Sequence, residues 1–263
     1  MFDFLDLILL RRGIPSDDRT LTFRRIDGDP HSKVVYFLPW HTSYGFARRA
    51  GLVPLDFLAC YEMPPAIVSS EPELTRMAML GLVADAESLL AYHAVRPEEL
   101  LVVGLSVGNY VATYLANRMG ARLCSVAPAD RVDLMIWQSP AARMVKRRAV
   151  QKGFGLSDYA SATEGCHPAG NLSGIRPESL FVVGRRDPFV PPSRSAGLRA
   201  AIAAHVPSAR VIELDAGHLK TLVASGRHQR SIFGQPGVRS DRREDAGGAT
   251  AHASLAAHGP SPL

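Results

Sequence analysis

The stretch Leu101-Val102-Val103-Gly104-Leu105-Ser106-Val107-Gly108-Asn109-Tyr110 constrains this chain more than any other. The apolar run from Leu100 to Leu105 predicts a buried strand, and the pattern from Val107 to Arg118 predicts an amphipathic helix. Between them stands Gly-x-Ser-x-Gly. A strand that gives way to a helix over so few residues turns sharply, and glycines two before and two after the serine relieve the crowding. Such a turn pushes the serine hydroxyl clear of the backbone. It also commits the chain to strand-turn-helix units in a mostly parallel sheet.

The rest of the sequence agrees. After an apolar first helix at Met1 to Leu10, strands are predicted over Thr20 to Ile26, Val34 to Leu38, Leu55 to Tyr61, Asp133 to Trp137, Leu180 to Gly184 and Arg210 to Leu214. Ser70-Glu71-Pro72-Glu73 has the spacing of a capping box, and the helix after it is predicted to run to about Ala94, with Arg96-Pro97 stopping it. Gly120 suits a helix end and Ser195 to His205 a further helix. The predicted class is α/β, a mostly parallel sheet with helices on both faces. Residues 140–179 carry no strand signal. They open with a basic, helix-like piece holding Arg143, Lys146, Arg147, Arg148 and Lys152. From Ser225 to Leu263 periodicity is lost and large apolar residues are few, so a disordered tail is expected there and a single domain over 1–224.

Composition excludes several classes. No run of eighteen or more apolar residues is present, so no membrane span is expected. The first ten residues carry Asp3 and Asp6 and no small-residue cleavage site, unlike a secretory signal. Net charge is +5, but the basic residues are interspersed with acids, which argues against a nucleic-acid footprint. Three cysteines (Cys60, Cys124, Cys166) lack metal or redox spacing and suit reduced thiols in a cytoplasmic protein. Nothing in the sequence bears on oligomeric state.

A serine hydroxyl is a weak nucleophile at neutral pH. It needs a base in contact, and the base needs an orienting acid. Two later stretches offer them. Phe181-Val182-Val183-Gly184-Arg185-Arg186-Asp187-Pro188-Phe189-Val190-Pro191 sets Asp187 three residues past a strand. Val211-Ile212-Glu213-Leu214-Asp215-Ala216-Gly217-His218 sets His218 in the loop after the final strand. Taken alone, Asp187 beside Arg185 and Arg186 reads as a surface ion pair, and His218 as a packed loop histidine. Asp215 is the reserve acid.

In this order the three motifs resemble those of the α/β-hydrolase fold family, in the manner of a serine esterase or lipase, over roughly Thr20 to Val223. The resemblance implies Ser106 as nucleophile, His218 as base and Asp187 as its orienting acid, acting on an ester or related acyl bond of a small molecule. It implies an oxyanion hole from the amide of Val107 and one from the loop after the Val34 strand. That loop departs from the family's His-Gly: Pro39-Trp40 stands there, followed by His41, which leaves Trp40 and His41 as alternative donors. Tyr44, Leu105 and Phe189 are candidate pocket residues, and residues 140–179 occupy the place of a short lid. The basic run there could draw an anionic substrate or be a solvated helix face. No metal or organic cofactor is implied. Thioesterase, acyltransferase and amidase activities stay open within the enzyme class. A small-molecule receptor or inactive scaffold on the same fold is the alternative outside it, favoured by the departure at Pro39-Trp40.

Overall fold

The computed structural model describes residues 18–233. The expected first helix at Met1 to Leu10 and the chain from 234 onward lie outside the described residues. Seven strands form one sheet: β1 (Arg24–Asp27), β2 (Val34–Phe37), β3 (Ala59–Glu62), β4 (Leu101–Leu105), β5 (Arg122–Val126), β6 (Leu180–Gly184) and β7 (Arg210–Leu214). Their order is β1-β3-β2-β4-β5-β6-β7, with β1 antiparallel to β3 and every other pair parallel. The helices are α1 (Tyr44–Arg49), α2 (Pro72–Tyr92), α3 (Gly108–Met119), α4 (Val132–Gln138), α5 (Arg143–Gln151), α6 (Leu156–Ala162), α7 (Pro192–His205) and α8 (His218–Phe233).

Strand alternation builds two cores. Val35, Phe37, Val102, Leu123 and Phe181 point to one face, where they meet Met79, Leu82 and Leu90 of α2 and Val111 and Leu115 of α3. Tyr36, Leu101, Val103, Leu105, Cys124 and Val182 point to the other, against Ala47 of α1 and Leu222 of α8. Both faces being covered, the central strands are apolar on both sides, which is why they read as unbroken hydrophobic runs. No helix among the described residues is long and apolar enough to cross a membrane.

Three expectations are corrected and one strand is added. Asp133 to Trp137 lies in helix α4, not in a strand: Val132 and Ile136, one helical turn apart, are both buried, and Arg131 grips the Asp133 carboxylate. The strand in that part of the chain is Arg122–Val126, whose Arg and Ser masked it; main-chain pairing to β4 and β6 holds it in place. The capping box does not form. Glu71 caps α2 without a side-chain bond, and Pro72 occupies the first turn, where its missing N–H costs nothing. Ser70 instead accepts from Lys152 (2.7 Å), which also pairs with Glu71 (2.9 Å). Finally, α8 continues to Phe233, so residues 225–233 belong to the packed body and not to a tail. Ser225 and Gln229 are buried, and the Tyr36 hydroxyl donates to Gln229 Oε1 at 2.9 Å.

Residues 140–179 fold as α5, α6 and short 3₁₀ turns with no strand. Val145 and Ala149 of α5 face inward while Arg143 and Arg147 are exposed, as on a solvated helix. The Lys152 bridge and a bond from the Tyr159 hydroxyl to Ser69 O fasten this segment to the start of α2.

Replacing Gln229 by Ala strands the buried Tyr36 O–H without an acceptor. A loss of about 1–3 kcal/mol is expected in urea unfolding; an unchanged midpoint and slope would show that α8 is not fastened there.

Candidate active site

Ser106 sits at the junction of β4 and α3 with φ 54°, the left-handed region that non-glycine residues seldom enter. The glycines beside it serve close approach, not torsion. A Cβ at Gly104 would lie 2.6 Å from that of Ala112, and one at Gly108 would collide with the carbonyl oxygen of Phe37. The start of α3 therefore presses against the end of β2. The Ser106 N–H donates to Val126 O (2.9 Å), tying the turn to the end of β5.

His218 is the first residue of α8. Its Nε2 lies 2.8 Å from Ser106 Oγ and its Nδ1 2.6 Å from Asp187 Oδ2. These partners place the ring proton on Nδ1, which donates to the carboxylate, and leave Nε2 to accept from the hydroxyl. The other carboxylate oxygen, Oδ1, accepts the N–H groups of Phe189 (2.8 Å) and Val190 (3.1 Å), which fixes the acid's orientation. Asp187 and His218 are both buried, and the Phe189 ring meets the imidazole edge-on at 5.0 Å. The reserve acid, Asp215, points away and pairs with Arg186 at 2.9 Å on the surface.

The loop after β2 is a tight turn in which Thr42 N–H donates to Pro39 O (3.2 Å). Its positive torsion falls on His41 (φ 54°) and not on Trp40. Trp40 is buried and lies 4.5 Å from the His41 ring. Burial lowers the pKa of His41, favouring the neutral ring. The amides of Val107, Trp40 and His41 donate no hydrogen bond among the described residues. Of the other pocket candidates, Phe189 reaches His218. Leu105 is fully enclosed in the sheet core, and Tyr44 packs edge-on against Phe57 (5.4 Å).

An open hollow of about 720 Å³ lies at the opposite, amino-terminal end of the strands, lined by Lys33, Val34, Leu101 and Arg122 among others. It is not contiguous with these side chains. Among the described residues no group of three or more His, Cys, Asp or Glu side chains is placed to hold a metal ion.

Reading the sequence missed Asn109. Its Nδ2 donates to Ser106 O (2.8 Å) and Val126 O (2.7 Å), and its Oδ1 accepts from Ser125 Oγ (2.6 Å), all beneath the turn. The available signal was a poor helix former in the first turn of a helix.

No family model and no curated protein matches the chain. Solved structures do. An enol-lactonase from Burkholderia xenovorans superposes at TM-score 0.52 with 17% identity, over 84% of this chain and 100% of that one. An esterase from Pyrococcus furiosus gives 0.52 and 17%, over 84% and 87%. An S-formylglutathione hydrolase from Agrobacterium tumefaciens gives 0.53 and 15%, over 76% and 83%. At these identities the likeness is one of fold: the chain has the α/β-hydrolase fold.

If α3 must press on the end of β2, Gly108→Ala should lose about 1–3 kcal/mol through overpacking. Gly45→Ala, whose new Cβ would meet nothing nearer than 3.7 Å, should lose none. Chemical denaturation of the two variants side by side checks the contrast.

Proposed function

We propose that this chain is a serine hydrolase that cleaves an ester or a related acyl bond of a small molecule. The observation that carries the reading is the unbroken line from the Ser106 hydroxyl through the His218 imidazole to the buried Asp187 carboxylate. The esterase and lactonase among the fold neighbours lend it further support, since both names describe cleavage of an acyl–oxygen bond.

In this reading Ser106 Oγ attacks the acyl carbonyl while His218 Nε2 takes its proton. Asp187 holds the ring and stabilises the imidazolium. The negative charge developing on the carbonyl oxygen is met by the amide of Val107 and by that of Trp40 or His41, whose N–H groups are free of other work. Collapse breaks the acyl–oxygen bond, and His218 passes its proton to the departing alcohol. Water then enters. It loses a proton to His218, attacks the acyl-enzyme and releases the acid, and the proton returns to Ser106. The cycle needs no metal and no organic cofactor. Three free, buried cysteines suit the reducing cytoplasm.

A fluorophosphonate probe should label Ser106, and Ser106→Ala should abolish both labelling and turnover. Asp187→Asn should lower turnover by about 10⁴-fold. Turnover should also fall on acidification as the base takes up a proton; a flat profile from about pH 5 to 8 would remove His218 from that role. An unlabelled parent chain that still binds a small molecule would instead support the receptor reading, which the glycine-free loop Pro39-Trp40-His41 favours. A panel of short and long acyl esters, thioesters and amides then ranks the acyl chemistry.

A further inference from the structure

We infer that Asn109, tethered by Ser125, is a positioning residue that holds Ser106 in its attacking geometry. The inference rests on the serine-hydrolase reading. Ser106 O already accepts the main-chain N–H of Asn109 at 3.0 Å, so the start of α3 needs no second bond there. The carboxamide supplies one anyway and spends its other N–H on Val126 O. Val126 O is also the acceptor of the Ser106 N–H. One side chain thus links both peptide groups that flank the Ser106 torsion, directly on the carbonyl side and through a shared acceptor on the amide side.

The side chain has no freedom to do otherwise. Asn109 is fully buried, its oxygen is taken by the Ser125 hydroxyl, and a Cβ on Gly104 would approach that oxygen to 2.7 Å. Ser125 lies opposite Gly104 in the β4–β5 register, so the tether is anchored in the sheet and not in a loop. A residue in a sparsely populated backbone region persists only where its surroundings over-determine it. Here that over-determination runs through the carboxamide. Without it the backbone of Ser106 relaxes, and Oγ drifts from the line joining His218 Nε2 to the acyl carbon. Displacement of a reacting group by about 1 Å is enough to lower the rate about 10²-fold.

The test uses the full chain as parent, Asn109→Ala and Ser125→Ala. It reads second-order labelling by a fluorophosphonate, kcat and KM on p-nitrophenyl butyrate, and thermal unfolding, with kcat normalised to the fraction of chains that label to completion. Asn109→Ala should lower the labelling rate and kcat by about 10²-fold with KM within about threefold, because the acyl pocket is untouched. Ser125→Ala should lower both in the same sense by a smaller factor. A loss of folded protein alone would leave the normalised kcat unchanged. A folded Asn109→Ala that labels and turns over within about twofold of the parent overturns the inference while sparing the hydrolase reading. If Asn109→Ala does not fold, Ser125→Ala decides, and parental kcat there overturns it. A parent chain that never labels overturns both readings.

Discussion

The structure depends on a single awkward residue, a non-glycine held in the left-handed region where β4 becomes α3. Keeping Ser106 there costs about 1–3 kcal/mol. Three hydrogen bonds from or to its peptide groups, at about 0.5–1.5 kcal/mol each, are of the right size to offset it. One runs to Val126 O at the end of β5, and two come from the main-chain and side-chain amides of Asn109 in the first turn of α3. Gly104 lets the helix sit on its own strand, and Gly108 lets it reach the neighbouring one. The serine, the helix and the central strands are one mechanical unit.

Around that unit the remaining polar groups are distributed with little redundancy. The two oxygens of Asp187 have separate duties, one facing the imidazole and one held by the two amides that follow. His218 opens a helix whose far end is fixed under the sheet by Gln229 and Tyr36. The ring is therefore placed by a rigid element, although the residue before it is in a loop. Its partners come from the ends of β4 and β6, two strands apart in the sheet.

Much of this was legible beforehand, for a physical reason. Strands buried on both faces must be continuous apolar runs, so Ser106 and Asp187 stand out just past the ends of β4 and β6, whereas His218 follows the exposed edge strand β7 and stood out by its place after the last strand. Where polar residues interrupt a buried strand the signal fades. Arg122–Val126 is a central strand whose Leu123, Cys124 and Val126 are buried but whose Arg122 and Ser125 break the apolar run, and Asp133 to Trp137 is too short for a helical period to be told from a strand. The helix through Phe233 was hidden because its buried side chains include Ser225 and Gln229, polar groups satisfied inside. Asn109 was hidden differently. Its partners Ser125 and Val126 are distant in the chain, and no local pattern encodes them. In the loop after β2, where Pro39-Trp40 stands in place of His-Gly, the positive φ belongs to His41 and not to Trp40.

Lys152 and Tyr159 hold the α5–α6 part of residues 140–179 to the helix layer, on Ser69, Ser70 and Glu71, while the end of that segment reaches the sheet, where Ser179 Oγ accepts the Leu123 N–H of β5. The length and composition of α5 and α6 therefore bear little on the pairing of β5 with β6. A lineage carrying this scaffold is free to trade those two helices for a longer or more apolar pair without refounding the fold beneath them.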